Sequence, residues 1–253
     1  MDRRIKVGIT IGDYNGVGPE IIVRLLEDDR IFKFCDIIVY GQKPILNFYA
    51  KALKAHNFQT QEVKDTEKLN PKIGNVINCF EEQVKIEPGV ETAEAGKYAL
   101  ICLDKAIADV LAKEIDVLVT GPVNKNMIAQ HEPNFHGQTE YIAEKTGGEK
   151  SLMLLADENL RIGLATNHVP VKAQKIDSVS LMQKLELFYQ SLQKDYLINK
   201  PRIAVLGLNP HSGDGGLIGK EEKDIIAPTV QKARDKGMIT LGPFAADGFF
   251  GTG

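Results

Sequence analysis

The sequence has few cysteines, no long apolar run and no strong excess of charge. Its cysteines, Cys35, Cys79 and Cys102, are widely spaced and match neither a C-x-x-C pair nor a zinc-finger spacing. No stretch approaches the roughly 18 consecutive apolar residues of a spanning helix, and glycine and aspartate interrupt the apolar run near the amino terminus, which excludes a signal peptide. We therefore expect reduced thiols in a soluble, cytoplasmic protein.

The charge balance excludes two classes of partner. The formal net charge is -3 with 26% charged residues, so neither nucleic acid nor an anionic membrane is an expected partner. There is no internal repeat, low-complexity tract or linker-like segment, and 43% hydrophobic content suffices for a sizeable core.

Short β-branched runs alternate with segments of helical period, which is typical of βα units around a mostly parallel sheet. The clearest helices are predicted at 20–26, where Pro19 suits the first turn, and at 91–111. Strands are predicted at 5–11, 36–40, 76–78, 116–120, 161–165 and 202–207.

The last three strands run into polar tips, which are Gly121-Pro122, Thr166-Asn167-His168 and Leu208-Asn209-Pro210-His211. In open α/β sheets, ligands bind beyond the carboxyl ends of the strands. The side chains at these tips are therefore expected to converge.

His168 and His211 are candidate metal ligands, because imidazole suits a divalent metal where several ligands meet. A hydrogen-bonded structural role is the alternative for each, and spacing identifies no third ligand. Asp247 has three interpretations: an outer partner of a metal ligand, a base, or a turn residue. His136 lies in a polar loop.

Two glycine-rich segments have features of anion-binding turns. Residues 12–20 fit either an anion site at a helix N-terminus or a tight βα turn. Residues 211–222 contain Gly219-Lys220, but Asp214 and Glu221 occupy the positions where a P-loop needs Gly and Ser or Thr. Nucleotide hydrolysis is therefore not expected.

The loop at 135–140 precedes a predicted helix, with Thr139 as its expected N-cap and Glu140 favourable to the helix dipole. Lys125 either binds an anion or is simply solvated.

Five segments together resemble the 4-hydroxythreonine-4-phosphate dehydrogenase family, in family order and across almost the whole chain. They are Gly12 to Glu20, Gly121 to Lys125, Phe135 to Glu140, Thr166 to His168, and the long Leu208 to Glu222 signature. The resemblance implies an isocitrate/isopropylmalate dehydrogenase-like α/β fold. In it, residues 1–253 form one family domain of two interleaved α/β/α lobes around a mostly parallel sheet.

The resemblance also implies site residues. His168 and His211 would bind a divalent metal (zinc, magnesium or cobalt), and Gln138 and Thr139 would contact substrate. From the residues themselves, Lys125 is a further candidate for substrate contact and Asp247 is the candidate catalytic residue. Residues that bind NAD are not identified.

The chain departs from the family pattern at several points. Gln138 replaces the usual histidine; an amide still donates a hydrogen bond to phosphate but carries no proton or charge. Tyr14-Asn15 replaces the usual Pro-Ala, and His136 is not the family histidine. Family members continue into a Y-H-D-Q-G motif with a third metal ligand and much of the NAD site. We therefore expect the chain to be truncated, its site incomplete and its turnover low.

The implied reaction is NAD- and metal-dependent oxidation of 4-phosphohydroxy-L-threonine, with decarboxylation to 3-amino-2-oxopropyl phosphate in vitamin B6 biosynthesis. The expected assembly is a homodimer with its site at the subunit boundary. One alternative is a dehydrogenase of another phosphorylated hydroxy acid, 4-phosphoerythronate or 4-phosphothreonate. The other is a fragment that binds metal or phosphate without catalysis.

Overall fold

The computed structural model describes residues 3–148, 151–166, 170 and 175–251. The chain divides into two compact units, Met1–Glu149 and Lys150–Gly253. Within the described parts of the chain, no helix is long and apolar enough to cross a membrane. The interleaving of two lobes stays a prediction.

The first unit is built on a five-stranded parallel sheet with strand order β3-β4-β2-β1-β5. The predicted parallel α/β architecture is thus confirmed. The sequence pattern located four of the strands to within about two residues and missed β3, which is short and half-exposed. The strands are β1 (Ile5–Thr10), β2 (Cys35–Gly41), β3 (Thr60–Val63), β4 (Gly74–Asn78) and β5 (Val117–Thr120).

The core of the first unit centres on β2, where Ile37, Ile38, Val39 and Tyr40 are all buried. Consecutive buried residues are expected where helices cover both faces of a parallel sheet. The helices are α1 (Gly18–Leu26), α2 (Lys43–Ala52), α3 (Ala93–Leu111), α4 (Lys125–Ala129) and α5 (Gln138–Lys145).

The carboxyl ends of β1 and β5 are bonded to each other. Gly121 N donates to Thr10 O at 3.1 Å, and Asp13 N donates to Pro122 O at 2.9 Å. A Cβ at Gly121 would lie 2.5 Å from Thr10 O and 2.9 Å from Gly12 N. Only glycine permits this approach. The glycine-rich turn after β1 and the Gly121-Pro122 tip after β5 are therefore held together at one end of the sheet.

Asn15 explains one departure from the family pattern. Its Oδ1 accepts from Glu87 N at 2.8 Å, and its Nδ2 donates to Val90 O at 3.1 Å. Its main-chain O accepts from Gly89 N at 2.7 Å. Asn15 is 2% exposed, so this buried amide fastens the first turn to the segment that leads into α3.

The second unit contains two small sheets, an antiparallel pair β6-β7 and a parallel pair β8-β9. Its core includes Leu181, Leu185, Ile203, Val205 and Ile226. The elements are β6 (Leu154–Ala156), β7 (Arg161–Gly163), β8 (Arg202–Leu206), β9 (Ile239–Phe244), α6 (Ser178–Lys194), α7 (Ala227–Asp235) and α8 (Ala246–Phe249), with a π-helical turn at Glu222–Ile226.

Among the described residues, strand pairing does not account for the expected convergence of the three tips, which stays a prediction. There, β5, β7 and β8 lie in three separate sheets, so pairing does not align their ends. β7 also ends at Gly163 and is only half-buried, shorter than the strand predicted at 161–165. His168 lies outside the described residues.

Replacing Asn15 with Ala removes the side-chain partners of Glu87 N and Val90 O. We expect Asn15→Ala to lower the free energy of unfolding by about 1 to 3 kcal/mol, because it removes two partly buried hydrogen bonds that contribute about 0.5–1.5 kcal/mol each. Urea unfolding followed by circular dichroism measures this. Asn47→Ala, at an exposed position of α2, is the control and should change stability by less than about 0.5 kcal/mol. Equal effects of the two substitutions would contradict the role of Asn15.

Candidate active site

Lys125 is positioned by a helix cap. The Asn124 side-chain oxygen accepts from Asn126 N at 3.0 Å and from Met127 N at 3.3 Å, so α4 begins directly after the β5 tip. Lys125, the first residue of α4, is exposed. A Cβ placed on Gly137 would lie 3.3 Å from Lys125 Nζ, so the lysine cation lies beside the loop that carries Gln138.

The start of α5 corrects one prediction. The N-cap is Gly137, whose carbonyl accepts from Tyr141 N at 3.1 Å, and Thr139 lies inside the first turn. The prediction of Thr139 as N-cap was therefore wrong, because the helix begins two residues earlier than the side-chain chemistry of Thr139 suggested. Glu140 does lie in the first turn, where its charge favours the helix dipole.

Gln138 connects α5 to the tip of β5. Its Nε2 donates to Gly121 O at 3.1 Å. The predicted substrate residues Lys125, Gln138 and Thr139 therefore belong to two adjoining segments of the first unit. His136, two residues before Gln138, is exposed.

The long signature of the second unit forms an unusual loop. Residues 211–215 all have φ between 44° and 80°, a left-handed conformation that is uncommon for residues other than glycine. His211, Ser212 and Asp214 adopt it without being glycine. Such backbone persists only where surrounding contacts hold it.

Glu222 supplies those contacts. Its carboxylate accepts from Asn209 N at 2.7 Å and from Asn209 Nδ2 at 3.0 Å. A Cβ on Gly213 would lie 2.7 Å from Glu222 Oε2, so the loop passes directly over this carboxylate. Burial alone would raise the pKa of Glu222, but the hydrogen bonds from Asn209 outweigh burial and hold the pKa below its usual value.

This loop presents His211 to Asp247. His211 Nδ1 lies 2.5 Å from Asp247 Oδ2, with the two side chains 70% and 45% exposed. The imidazole donates from Nδ1 to the carboxylate, and in the neutral imidazole this tautomer leaves the lone pair on Nε2. A carboxylate on one ring nitrogen is the usual partner of a metal-binding histidine. Of the three interpretations of Asp247, this geometry favours the outer partner.

The described residues include one of the two predicted metal ligands, His211. Among them, no three His, Cys, Asp or Glu side chains are grouped so as to hold a metal ion. His211 has the right donor chemistry, whereas His168 lies outside the described residues. The metal assignment of both histidines stays a prediction.

A large cavity in the second unit is a separate feature. It has a volume of about 640 Å³ and is lined mainly by apolar side chains of α6, β7 and β8, including Leu181, Leu185 and Phe188. Neither His211 nor Asp247 lines it. The cavity is therefore separate from the contact between His211 and Asp247.

Two solved dehydrogenases have the fold of this chain. A 4-hydroxythreonine-4-phosphate dehydrogenase from Klebsiella pneumoniae matches with a TM-score of 0.85 at 28% identity, over 98% of this chain and 76% of that chain. The enzyme of the same name from Burkholderia phymatum matches with a TM-score of 0.83 at 27% identity, over the same shares of the two chains. The expected dehydrogenase-like α/β class is confirmed.

The family follows from the sequence comparison. Residues 33–253 match the family described as pyridoxal phosphate biosynthetic protein PdxA. A 4-hydroxythreonine-4-phosphate dehydrogenase of Bacteroides thetaiotaomicron is 43% identical over 256 residues, which cover 100% of this chain and 70% of that protein. The chain belongs to this family of dehydrogenases, as its motifs indicated.

Asn209 and Glu222 had not been singled out from the sequence. Both lie in the Leu208 to Glu222 signature. The available signal was the run of glycines between them, because closely spaced glycines indicate a backbone that passes near another group.

Glu222→Gln tests whether this carboxylate holds the loop. A depressed folded-state pKa means that the stabilisation is fully present above the unfolded-state pKa of about 4.3 and is lost as the pH falls through the lower folded-state value. We expect the variant to be about 1–3 kcal/mol less stable near neutral pH, with the difference narrowing below about pH 4. Urea unfolding across pH measures it. Glu158→Gln, an exposed site of the same unit, should show no such trend, and parallel pH curves for Glu222→Gln and the wild type would refute the assignment.

Proposed function

We propose that this chain serves NAD- and divalent-metal-dependent oxidation of 4-phosphohydroxy-L-threonine, with decarboxylation to 3-amino-2-oxopropyl phosphate in pyridoxal phosphate biosynthesis. The observation that carries the proposal is the signature loop, which holds His211 against Asp247 in a member of this dehydrogenase family. A cytoplasmic homodimer with its site at the subunit boundary is part of the same proposal.

The proposed metal ligands belong to the second unit. His211 binds through Nε2, since Asp247 occupies Nδ1, and His168 is the second ligand. Asp247 fixes the tautomer and the orientation of the ring. A divalent metal of the zinc, magnesium or cobalt type, if held there, would lower the pKa of a substrate hydroxyl, and NAD would supply the hydride acceptor.

The proposed substrate-binding residues belong to the first unit. Lys125 provides a positive charge for the phosphate or carboxylate, and Thr139 offers a hydroxyl in the first turn of α5. Gln138 completes the set and is neutral at every pH, so this position cannot transfer a proton.

Gln138 also favours one second candidate. A neutral amide in place of histidine alters hydrogen bonding and charge where the substrate is recognised. Oxidation of 4-phosphoerythronate or 4-phosphothreonate by the same chemistry is therefore the alternative.

Metal binding by His211 and His168 predicts a change in thermal stability. A ligand that binds only the folded state raises its Tm, so zinc, cobalt or magnesium should raise the Tm of the wild type. His211→Ala and His168→Ala should each remove most of that rise. Asp247→Asn should weaken metal affinity about 10- to 100-fold, as loss of an outer partner does. His56→Ala, an exposed histidine of the first unit, is the control. An unchanged metal response in both ligand variants would sink the assignment.

The reaction predicts formation of NADH. Full-length protein with divalent metal, NAD and 4-phosphohydroxy-L-threonine should increase absorbance at the NADH band, and chelation of the metal should abolish the increase. Turnover of 4-phosphoerythronate with none of the amino substrate would replace the proposal with its alternative. Metal-dependent stabilisation without turnover of any of these substrates would indicate a binding function only.

A further inference from the structure

The amide of Gln138 has a fixed orientation. Its Nε2 donates to the main-chain O of Gly121 at 3.1 Å. A carbonyl oxygen only accepts hydrogen bonds, so the nitrogen of the amide must face Gly121. The reversed amide would bring two oxygen acceptors into contact.

This orientation leaves an acceptor without a partner. Among the described residues, Gln138 Oε1 receives no hydrogen bond, and it is shielded from solvent. Such an atom costs about 1–3 kcal/mol and calls for an explanation in a native structure. Only a hydrogen-bond donor satisfies it, and an ionised phosphate or carboxylate oxygen donates none.

The surrounding charges leave phosphate recognition to another side chain. The position of a Cβ on Gly137 would lie 3.3 Å from Lys125 Nζ and 2.7 Å from Glu140 Oε2. Lys125 is exposed and cationic, and it attracts an anion without help from Gln138. Because Oε1 is shielded from solvent, a ligand reaches it only when a neighbouring side chain moves.

Building on the proposed function, we infer that Gln138 is a specificity-determining residue whose Oε1 accepts a hydrogen bond from a donor group of the substrate. The ammonium and the hydroxyl of 4-phosphohydroxy-L-threonine both have this chemistry. Lys125, and not Gln138, meets the phosphate. Gln138 thus selects for a substrate that carries a donor at this position.

Calorimetric titration tests the inference on the full chain with divalent metal and without NAD, so that no turnover interferes. Four ligands are compared: 4-phosphohydroxy-L-threonine and its analogues lacking the phosphate, the amino group or the C3 hydroxyl. Gln138→Met keeps the length of the side chain and removes its polar atoms. Gln130→Met, at an exposed glutamine after α4, is the matched control. The Tm of each variant shows that it is folded.

We expect Gln138→Met to weaken binding of the complete ligand about tenfold, the size of one hydrogen bond. The loss should persist for the ligand without phosphate and vanish for either the deamino or the deoxy ligand, which identifies the donor. A loss that vanishes without phosphate, an equal loss for all four ligands, or no loss overturns the inference alone. If the wild type binds none of the ligands, the proposed function itself fails, and the inference fails with it.

Discussion

The main-chain groups of Gly121 hold the predicted substrate loop of the first unit in place. The N–H of Gly121 donates to Thr10 O, and its C=O accepts from Gln138 Nε2. The end of β5 is thereby fastened both to β1 and to the start of α5. Because a Cβ at this position would collide with Thr10 O, the arrangement depends on a glycine. Lys125 and Thr139 take their positions from this junction, although neither contributes to it.

In the second unit, a carboxylate holds a loop in place. A run of left-handed residues is unfavourable by itself, and Glu222 compensates by accepting two hydrogen bonds from Asn209 beneath the loop. The family signature is therefore largely a folding device. Its residues shape a backbone that places His211 beside Asp247.

Much of the fold could be predicted from the sequence, for identifiable reasons. The strands β1, β2 and β5 are short runs rich in β-branched residues in a parallel sheet, with β2 and the end of β1 buried, and α3 has apolar residues at every third or fourth position over 19 residues. β3 was missed because its Thr-Gln-Glu-Val sequence has little apolar content. The N-cap of α5 was misplaced because Thr139 is a good capping residue, yet Gly137 takes the cap through its main chain.

Motifs in the sequence determined the family, the class of fold and the identity of the candidate residues, because these depend on which residue types occur and in what order. Tertiary structure decided how those residues act. The contact between His211 and Asp247 joins residues 36 positions apart, and the orientation of the Gln138 amide depends on a carbonyl 17 positions away. Neither spacing follows a local period. Only the folded chain could therefore reveal which nitrogen of His211 contacts Asp247 and which atom of the Gln138 amide lacks a partner among the described residues.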